Sequence, residues 1–511
     1  MRDAVSTGEA LGERRQRKRQ SAGRLVIVSN RLPVSLKKKD AGEWQFQPSP
    51  GGLVTALAPV LRDKGGLWIG WPGTMKAVDS IKPLALASKD IGYELKAIPL
   101  TDREFNQYYC GFSNEILWPL FHDLQSRCNF DPAYWKAYQA VNRRFAQVLA
   151  RSANENDYIW VHDYHLQLVA KELRRMQVKN RLGFFLHIPF PSPDIYFKLP
   201  WRLQILEGLL AYDLVGFQTW VDRNNFIRCV ETLIRGVHVD YRVRVTTIEM
   251  LGREIKVGSF PISIDFKEYA QQAADPKVTT EAKRLHHAMR SSHIILGVDR
   301  LDYSKGIPER LQAFKHALEH YPDLRGKVSL VQVVSPSRAD IPEYGLLKME
   351  IERLVGEVNG RFTQPGWIPV HYVYRNLERH ELLVYYRAAD VALVTPLKDG
   401  MNLIAKEYCA ANVDDNGVLI LSEFAGAASE MRREALLVNP YDVESVAGAI
   451  HRACAMGEAE RRSRMKRLRR SIARRDVFRW VDSFLSAADA QDVALVKSPR
   501  KPIGKRGART P

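Results

Sequence analysis

Short apolar runs that end in polar or turn residues punctuate the chain, with stretches of helical period between them. LVIVSN, residues 25–30, is the first. From Tyr158 the alternation is regular: YIWVHDYH, GFFLHIPFP, LVGFQT and IKVGSFPI follow one another, with helical stretches between the first three. Apolar runs bounded by turn signals suit strands buried on both faces, and alternation with helices implies βαβ units in a parallel sheet. GSFPISID, residues 258–265, reads as a crossing between domains. A second series follows, in which HIILGVDR, VSLVQVVS, DVALVTP, GVLILSE and ALLVNP read as strands. In the helix after Pro308, Leu311, Phe314 and Leu318 share one face. No tandem repeat of short period appears. The pattern predicts an α/β protein built of two doubly wound halves of similar size.

Open α/β sheets bind ligands at the carboxyl ends of their strands, so the residues placed there carry the candidate chemistry. In LVTPLKDGMNLIAKE, residues 393–407, a strand leads into a turn with Lys398, Asp399 and Gly400, and a helix from Asn402 onward. The amides that open that helix suit a phosphate, and Gly400, without a Cβ, would let a bulky anion come close. Asp399 and Glu407 are eight residues apart, about two helical turns, which places them on one face as hydroxyl acceptors. GVDRLDYSKGIP sets Arg300 and Lys305 at a strand end beside Gly306, two cations suited to a departing pyrophosphate. Arg338, in VVSPSRAD, adds a cation after the next strand, and Gly52 closes a PSPGG turn ahead of a helical pattern. His162, Asp163, His165 and His187 follow two strands. No third ligand motif of suitable spacing accompanies them, so they read as groups that hydrogen-bond a polar ligand rather than a metal. WIGW at residues 68–71, and Tyr108, Tyr109, Phe112 and Trp118 in the next aromatic run, have core composition. Their polar neighbours leave sugar stacking open.

Composition changes this picture little. A chain of 511 residues exceeds one core and implies two or three domains. Five cysteines without CxxC spacing read as reduced thiols, no apolar run is long enough to span a bilayer, and no secretory signal follows the basic start. The expectation is a cytoplasmic protein without a membrane partner. The net charge of +18 matters only through its placement: residues 1–24 hold seven Arg or Lys against three acids, and residues 496–511 six against none. These tails account for ten of the eighteen charges, lack core-forming residues and are expected to be disordered over residues 1–23 and 491–511. The cluster over residues 461–475 is interrupted by Met465, Leu468 and Ile472 at helical spacing, as a solvated helix face would be. Nothing in it specifies base readout, so no specific nucleic-acid partner is expected.

Eight ordered motifs carry a resemblance. SNRLPV at Ser29, GGL at Gly51, FSNEILWPLFH at Phe112, VHDYHL at Val161, FFLHIPFP at Phe184, GVDRLDYSKGIP at Gly297, SPSR at Ser335 and TPLKDGMNLIAKEY at Thr395 together resemble the trehalose-6-phosphate synthases, retaining glycosyltransferases of the GT-B fold (glycosyltransferase family 20). The resemblance spans residues 24–485. It implies two Rossmann-like domains facing across a cleft, with residues 24–260 binding the acceptor and 261–475 the nucleotide sugar. Residues 476–490 would form a helix packing back on the first domain. The implied nucleotide-sugar site is Gly52, His187, Arg300, Lys305, Asp399, Gly400, Met401, Asn402, Leu403 and Glu407. Within it Arg300 and Lys305 would hold the diphosphate, Glu407 the ribose, and Asp399 and His187 the transferred glucose. The implied glucose 6-phosphate site is Arg31, Trp71, Tyr109, Trp118, Asp163 and Arg338, with the two arginines on the phosphate. Asp163, His187, Arg300, Lys305 and Asp399 would be catalytic, without metal or cofactor. SPSR departs modestly from the family's frequent form.

The implied reaction transfers glucose from a nucleotide sugar, UDP-glucose foremost, to glucose 6-phosphate. Another phosphorylated acceptor such as glycerol 3-phosphate is the alternative, against which Trp71, Tyr109 and Trp118 favour a hexose ring. A silent nucleotide-sugar sensor is disfavoured because Arg300, Lys305, Asp399 and Glu407 are all in place. A dinucleotide oxidoreductase lacks its GxGxxG after the strand at Leu25. Base preference and homo-oligomerisation stay open at this level.

Overall fold

The computed structural model describes residues 23–38, 44–48, 52–73, 84, 88, 91–242, 244–337 and 342–488. The basic tails, Gly23 aside, and Arg338 fall outside the described residues. The first half of the chain carries β1 (Leu25–Arg31), β2 (Val34–Lys38), β3 (Trp44–Pro48), β4 (Leu67–Trp71), β5 (Glu94–Ala97), β6 (Tyr158–His162), β7 (Leu182–Phe185), β8 (Leu214–Phe217), β9 (Val237–Asp240), β10 (Val245–Met250) and β11 (Arg253–Ser259). The second half carries β12 (His293–Arg300), β13 (Val328–Ser335), β14 (Val370–Tyr374), β15 (Val391–Val394), β16 (Val418–Ser422) and β17 (Leu436–Val438). β2 and β3 pair only with each other, as an antiparallel hairpin.

The remaining strands make two sheets. One has nine strands in the order β5-β4-β1-β6-β7-β8-β11-β10-β9, and the other six in the order β14-β13-β12-β15-β16-β17. The smaller sheet is parallel throughout, and so is the larger one from β5 to β11, where two antiparallel strands close its edge. Their interior strands are apolar from end to end because helices cover both faces: β6, β7, β8, β15 and β16 are buried at every position. In both sheets the order reverses beside the first strand, between β1 and β6 and between β12 and β15. At such a switch point neighbouring crossovers run to opposite faces, and a crevice opens above the strand ends. Arg31, Asp163, His187, Arg300 and Asp399 all follow or end strands at or next to these two points.

β14 at a sheet edge and β4 next to one escaped the hydrophobic pattern. VHYVY of β14 is only half buried, and WIGW, read as an aromatic cluster, is β4, with Trp68 and Trp71 both buried. The aromatic run that follows winds as a helix of wide, π-type pitch over Phe105–Leu117, in which the Trp118 N–H donates to the Ser113 carbonyl. Tyr108 and Phe112 enter the core from it. The helix after Pro308 is Ile307–His320, and Leu311, Phe314 and Leu318 are buried as its period requires. The helix Glu458–Arg474 buries Met465, Leu468 and Ile472 and exposes most of its arginines, while Arg469 turns in to the Cys409 and Ala410 carbonyls.

The chain returns at its end to the larger sheet. Val477, Trp480, Val481, Phe484 and Leu485 form one apolar face of the helix Val477–Ala487. Phe484 stacks on Trp160 with ring centroids 4.2 Å apart, and the Trp480 indole N–H donates to the Phe260 carbonyl over 3.0 Å. At about 1.5–3 kcal/mol per large apolar side chain removed from water, this face ties the second half firmly to the first. The five cysteines are free. Among the described residues no helix is long and apolar enough to cross a membrane.

Candidate active site

On the larger sheet, register aligns Arg31 at the end of β1 with Trp71 at the end of β4. The Arg31 guanidinium lies 4.8 Å from the Trp71 ring and 5.7 Å from the Tyr109 ring, each within cation–π range. Tyr109 stacks in turn on His165 at 5.8 Å and 10°. These four residues form one cluster at the strand ends, with Trp71 and His165 buried, Tyr109 half-buried and the Arg31 cation exposed.

Asp163 follows β6 with φ 76°, a left-handed value that costs a non-glycine residue about 1–3 kcal/mol and marks a place where geometry is imposed. Its carboxylate accepts from the Tyr164 N–H at 3.0 Å and lies 3.4 Å from the His187 N–H, tying the turns after β6 and β7 together. His187 is buried, and its ring nitrogens face protein groups, His162 at 3.0 Å and Gln218 at 3.2 Å. Burial pulls its pKa down to about 3, so the ring is neutral. Both ring nitrogens are thus taken by protein groups.

On the smaller sheet, Arg300 ends β12. Its Nη2 donates to Asp302 at 2.9 Å, and its Nε is buried without a hydrogen-bond partner among the described residues. Lys305 reaches across to Asp399 at 2.5 Å. The Asp399 carboxylate also accepts from the Met401 N–H at 3.1 Å and the Asn402 amide at 3.3 Å. Burial pushes the Asp399 carboxyl up, but Lys305 and the Met401 N–H outweigh it and hold the group below its ordinary value. Glu407 goes the other way: burial raises it, against donation from the Tyr386 and Tyr269 hydroxyls, the former at 2.8 Å.

One expectation for this turn needs correction. The helix starts at Leu403, with Asn402 as its N-cap in a left-handed conformation, so Asp399 stands outside it. Helical period therefore cannot align Asp399 with Glu407, and the two carboxylates bond to different partners. Gly400 is also crowded by protein: a Cβ built there would lie 2.3 Å from the His187 carbonyl oxygen. The close approach that needs glycine is the backbone of the opposite sheet.

The sheets meet elsewhere along the same line. The Trp118 indole N–H donates to Asp302 at 3.3 Å while the Arg300 guanidinium lies 4.6 Å from the Trp118 ring. Arg127 covers Tyr303 at 4.9 Å, and Lys398 pairs with Asp123. Trp118, from the expected acceptor set, thus touches Arg300, from the expected donor set. Gly52 opens the helix Gly52–Lys64, Met401 is half buried in the turn, and Leu403 is buried. The structure says nothing of Arg338.

Several contributors escaped the sequence. Arg310 is 1% exposed and binds Asp299 at 2.5 Å, Gln332 at 3.0 Å and Thr395 at 3.0 Å, pinning the end of β12 and the middle of β13 to the turn after β15. A charged residue on the apolar face between Ile307 and Leu311 was the available signal. His122 is buried against Trp118, bonds to its carbonyl at 2.7 Å and is held neutral, near pKa 3, by burial. Asp302, inside the DRLDYSK motif, went unremarked. Among the described residues, His316, Glu319 and His320 form a group able to hold a metal, but it sits on the last turns of its helix, not at the strand ends.

Two doubly wound sheets facing each other, with cations and carboxylates gathered at both switch points, define a glycosyltransferase of the GT-B fold. A family model for glycosyltransferase family 20 matches residues 23–490, and the chain belongs to that family. The trehalose-6-phosphate synthase of Mycobacterium leprae is 44% identical over 471 residues, 90% of this chain and 94% of its own. That of Mycolicibacterium vanbaalenii is 43% identical over 480 residues, 93% and 97% of the two chains. Among solved structures, the UDP-forming α,α-trehalose-phosphate synthase of Burkholderia xenovorans in complex with glucose-6-phosphate superposes with a TM-score of 0.82 at 37% identity, over 91% of this chain and 100% of that one. An Escherichia coli structure bound with UDP-2-fluoro glucose gives 0.82 at 39% identity, over 92% and 99%.

Proposed function

We propose that this enzyme transfers glucose from UDP-glucose to glucose 6-phosphate with retention, forming trehalose 6-phosphate and UDP, in the cytoplasm. The observation that carries this is Arg300: paired on one side with Asp302, laid against Trp118, and keeping one buried N–H without a protein partner among the described residues. Such a donor suits a phosphate oxygen at the place where the two sheets touch.

In this reading the first half, residues 24–260, binds the acceptor and residues 261–475 bind the donor. Arg300 and Lys305 hold the diphosphate. As Lys305 turns to phosphate, Asp399 is released to accept from the glucose hydroxyls, while Glu407 takes the ribose. Gly52 and the backbone of Gly400, Met401, Asn402 and Leu403 border the phosphates, and His187 walls the glucose. Trp71, Tyr109 and Trp118 face the acceptor ring, with Asp163 on its hydroxyls and Arg31 and Arg338 on its phosphate. The bond from glucose C1 to the leaving phosphate oxygen breaks, and the acceptor's anomeric oxygen bonds to C1 on the same face. The acceptor proton passes to the departing phosphate oxygen, so no protein nucleophile is needed. Fixed cations stabilise the charge that the phosphate gains.

The test is incubation with UDP-glucose and, separately, glucose 6-phosphate, glucose and glycerol 3-phosphate, followed by NMR of the product. An α,α-linked phosphorylated disaccharide from glucose 6-phosphate alone is expected. Equal transfer to glycerol 3-phosphate would replace the acceptor assignment. No UDP release with any of them would remove the donor assignment.

A further inference from the structure

Behind the cleft runs a line of buried polar groups that the transfer reaction does not use directly. Ile262 lies in the crossing between β11 and the helix Phe266–Ala273. Its N–H donates to the Gln218 Oε1 at 2.9 Å, and the Gln218 Nε2 lies 3.2 Å from the His187 Nδ1. The His187 Nε2 lies 3.0 Å from the His162 Nδ1. On the far side, the Ile262 carbonyl accepts from Lys406 at 2.7 Å, and Lys406 also pairs with Glu430 at 2.5 Å. Gln218, His187, His162 and Lys406 are each no more than 3% exposed.

Directionality follows from one bond. Because the amide oxygen of Gln218 is taken by a backbone N–H, its NH₂ must face His187, and the His187 Nδ1 must accept. A neutral His187 then carries its hydrogen on Nε2 and donates it to the His162 Nδ1. His162 is left with its own hydrogen on Nε2, which is buried and has no partner among the described residues. Desolvating three polar side chains in a row costs free energy that apolar residues would not, unless the fixed orientation matters. The backbone of Ile262 is gripped at its N–H by Gln218, which follows β8 of the larger sheet, and at its carbonyl by Lys406 of the helix Leu403–Ala411, which also carries Glu407.

We infer that Gln218 is a positioning residue: it locks His187 in the Nε2–H form and couples that lock, through the peptide of Ile262 and Lys406, to the helix of the donor half. The inference rests on the reading of His187 as a wall of the glucose pocket. Its first measurement is independent of activity.

Long-range 1H–15N correlation of the histidine-labelled full chain should show His187 neutral and protonated at Nε2 between pH 6 and 8. Protonation at Nδ1 in the parent overturns the assignment whatever any variant does. The near-isosteric Gln218→Glu places a carboxylate oxygen against Nδ1 and should move the hydrogen to Nδ1. Efficiency toward UDP-glucose should then fall roughly tenfold or more, the scale for losing an orienting partner, with the KM for glucose 6-phosphate little changed. A variant that melts earlier but keeps the parental His187 signals and donor KM would reduce Gln218 to a structural role and overturn the proposal. Absence of UDP-glucose turnover in the parent would instead remove the functional reading and leave the tautomer result standing.

Discussion

Lys305→Met separates what the Lys305–Asp399 pair does for catalysis from what it does for stability. The two side chains are 15% and 9% exposed, so solvent screens the pair little. Removing the ammonium strands a buried carboxylate, which costs about 3–5 kcal/mol of stability for pairs of this kind. If Lys305 also stabilises the leaving diphosphate, kcat should fall by roughly two to three orders of magnitude, about 3–4 kcal/mol of transition-state energy. Adding Asp399→Asn removes the stranded charge, so the double variant should recover most of the stability and none of the turnover.

The pH dependence has a definite sign. In the parent, Lys305 holds the Asp399 pKa below its ordinary value despite burial. Its contribution is therefore present above the unfolded carboxyl pKa of about 4 and is lost as pH falls through the folded value. In Lys305→Met burial loses its main opponent, with the Met401 N–H still in place, and the pKa rises, so the deficit in melting temperature should be greatest near neutrality and shrink on acidification. The assays are UDP release at saturating UDP-glucose and glucose 6-phosphate, and calorimetric unfolding from pH 7.5 to 5. A single variant within threefold of parental kcat, or a double variant that regains turnover, would refute the diphosphate role. A deficit that does not vary with pH would refute the stranded carboxylate.

Gly400→Ala should lower turnover at least tenfold while the fold persists, because a methyl 2.3 Å from the His187 carbonyl forces the two sheets apart, at a typical overpacking cost of about 1–3 kcal/mol; parental kcat and KM would show that the contact is not needed. Arg310→Met should destabilise by about 3–5 kcal/mol, since Asp299 loses its buried partner; an unchanged denaturant midpoint would contradict this. Activity should survive dialysis against EDTA, because Arg300 and Lys305 supply the charge a divalent ion would bring, and loss that only a divalent cation restores would refute that substitution. Arg31→Ala and Arg338→Lys should each weaken use of glucose 6-phosphate more than donor affinity measured by calorimetry; variants that lose donor affinity alone would move both residues out of the acceptor site.

Local period was enough to place most of this chain. Strands buried on both faces must be continuously apolar, so β1, β6, β7, β8, β11, β12, β13, β15, β16 and β17 were legible as runs, and the polar residues at or after some of them, Asp163, His187, Arg300 and Lys305, stood out as candidates. Eight ordered motifs then carried the family, because motif spacing is itself written in the sequence. β14, at a sheet edge, and β4, next to one, were harder: neither has a pattern that distinguishes strand from aromatic cluster, and Trp71 is packed on Phe105 and Tyr109 from the helix that follows. The partners of each site residue could not be read at all. Lys305 meets Asp399 over 94 positions, Trp118 meets Asp302 over 184, and Lys406 meets the Ile262 carbonyl over 144. Side-chain contacts between distant segments leave no periodic trace: strand order within a sheet sets the first of these, and the meeting of the two halves sets the other two. Tertiary structure alone decided that the His187 carbonyl comes up against Gly400, that Arg310 points inward within the smaller half, and that the His187 ring is held by His162 and Gln218 within the larger one.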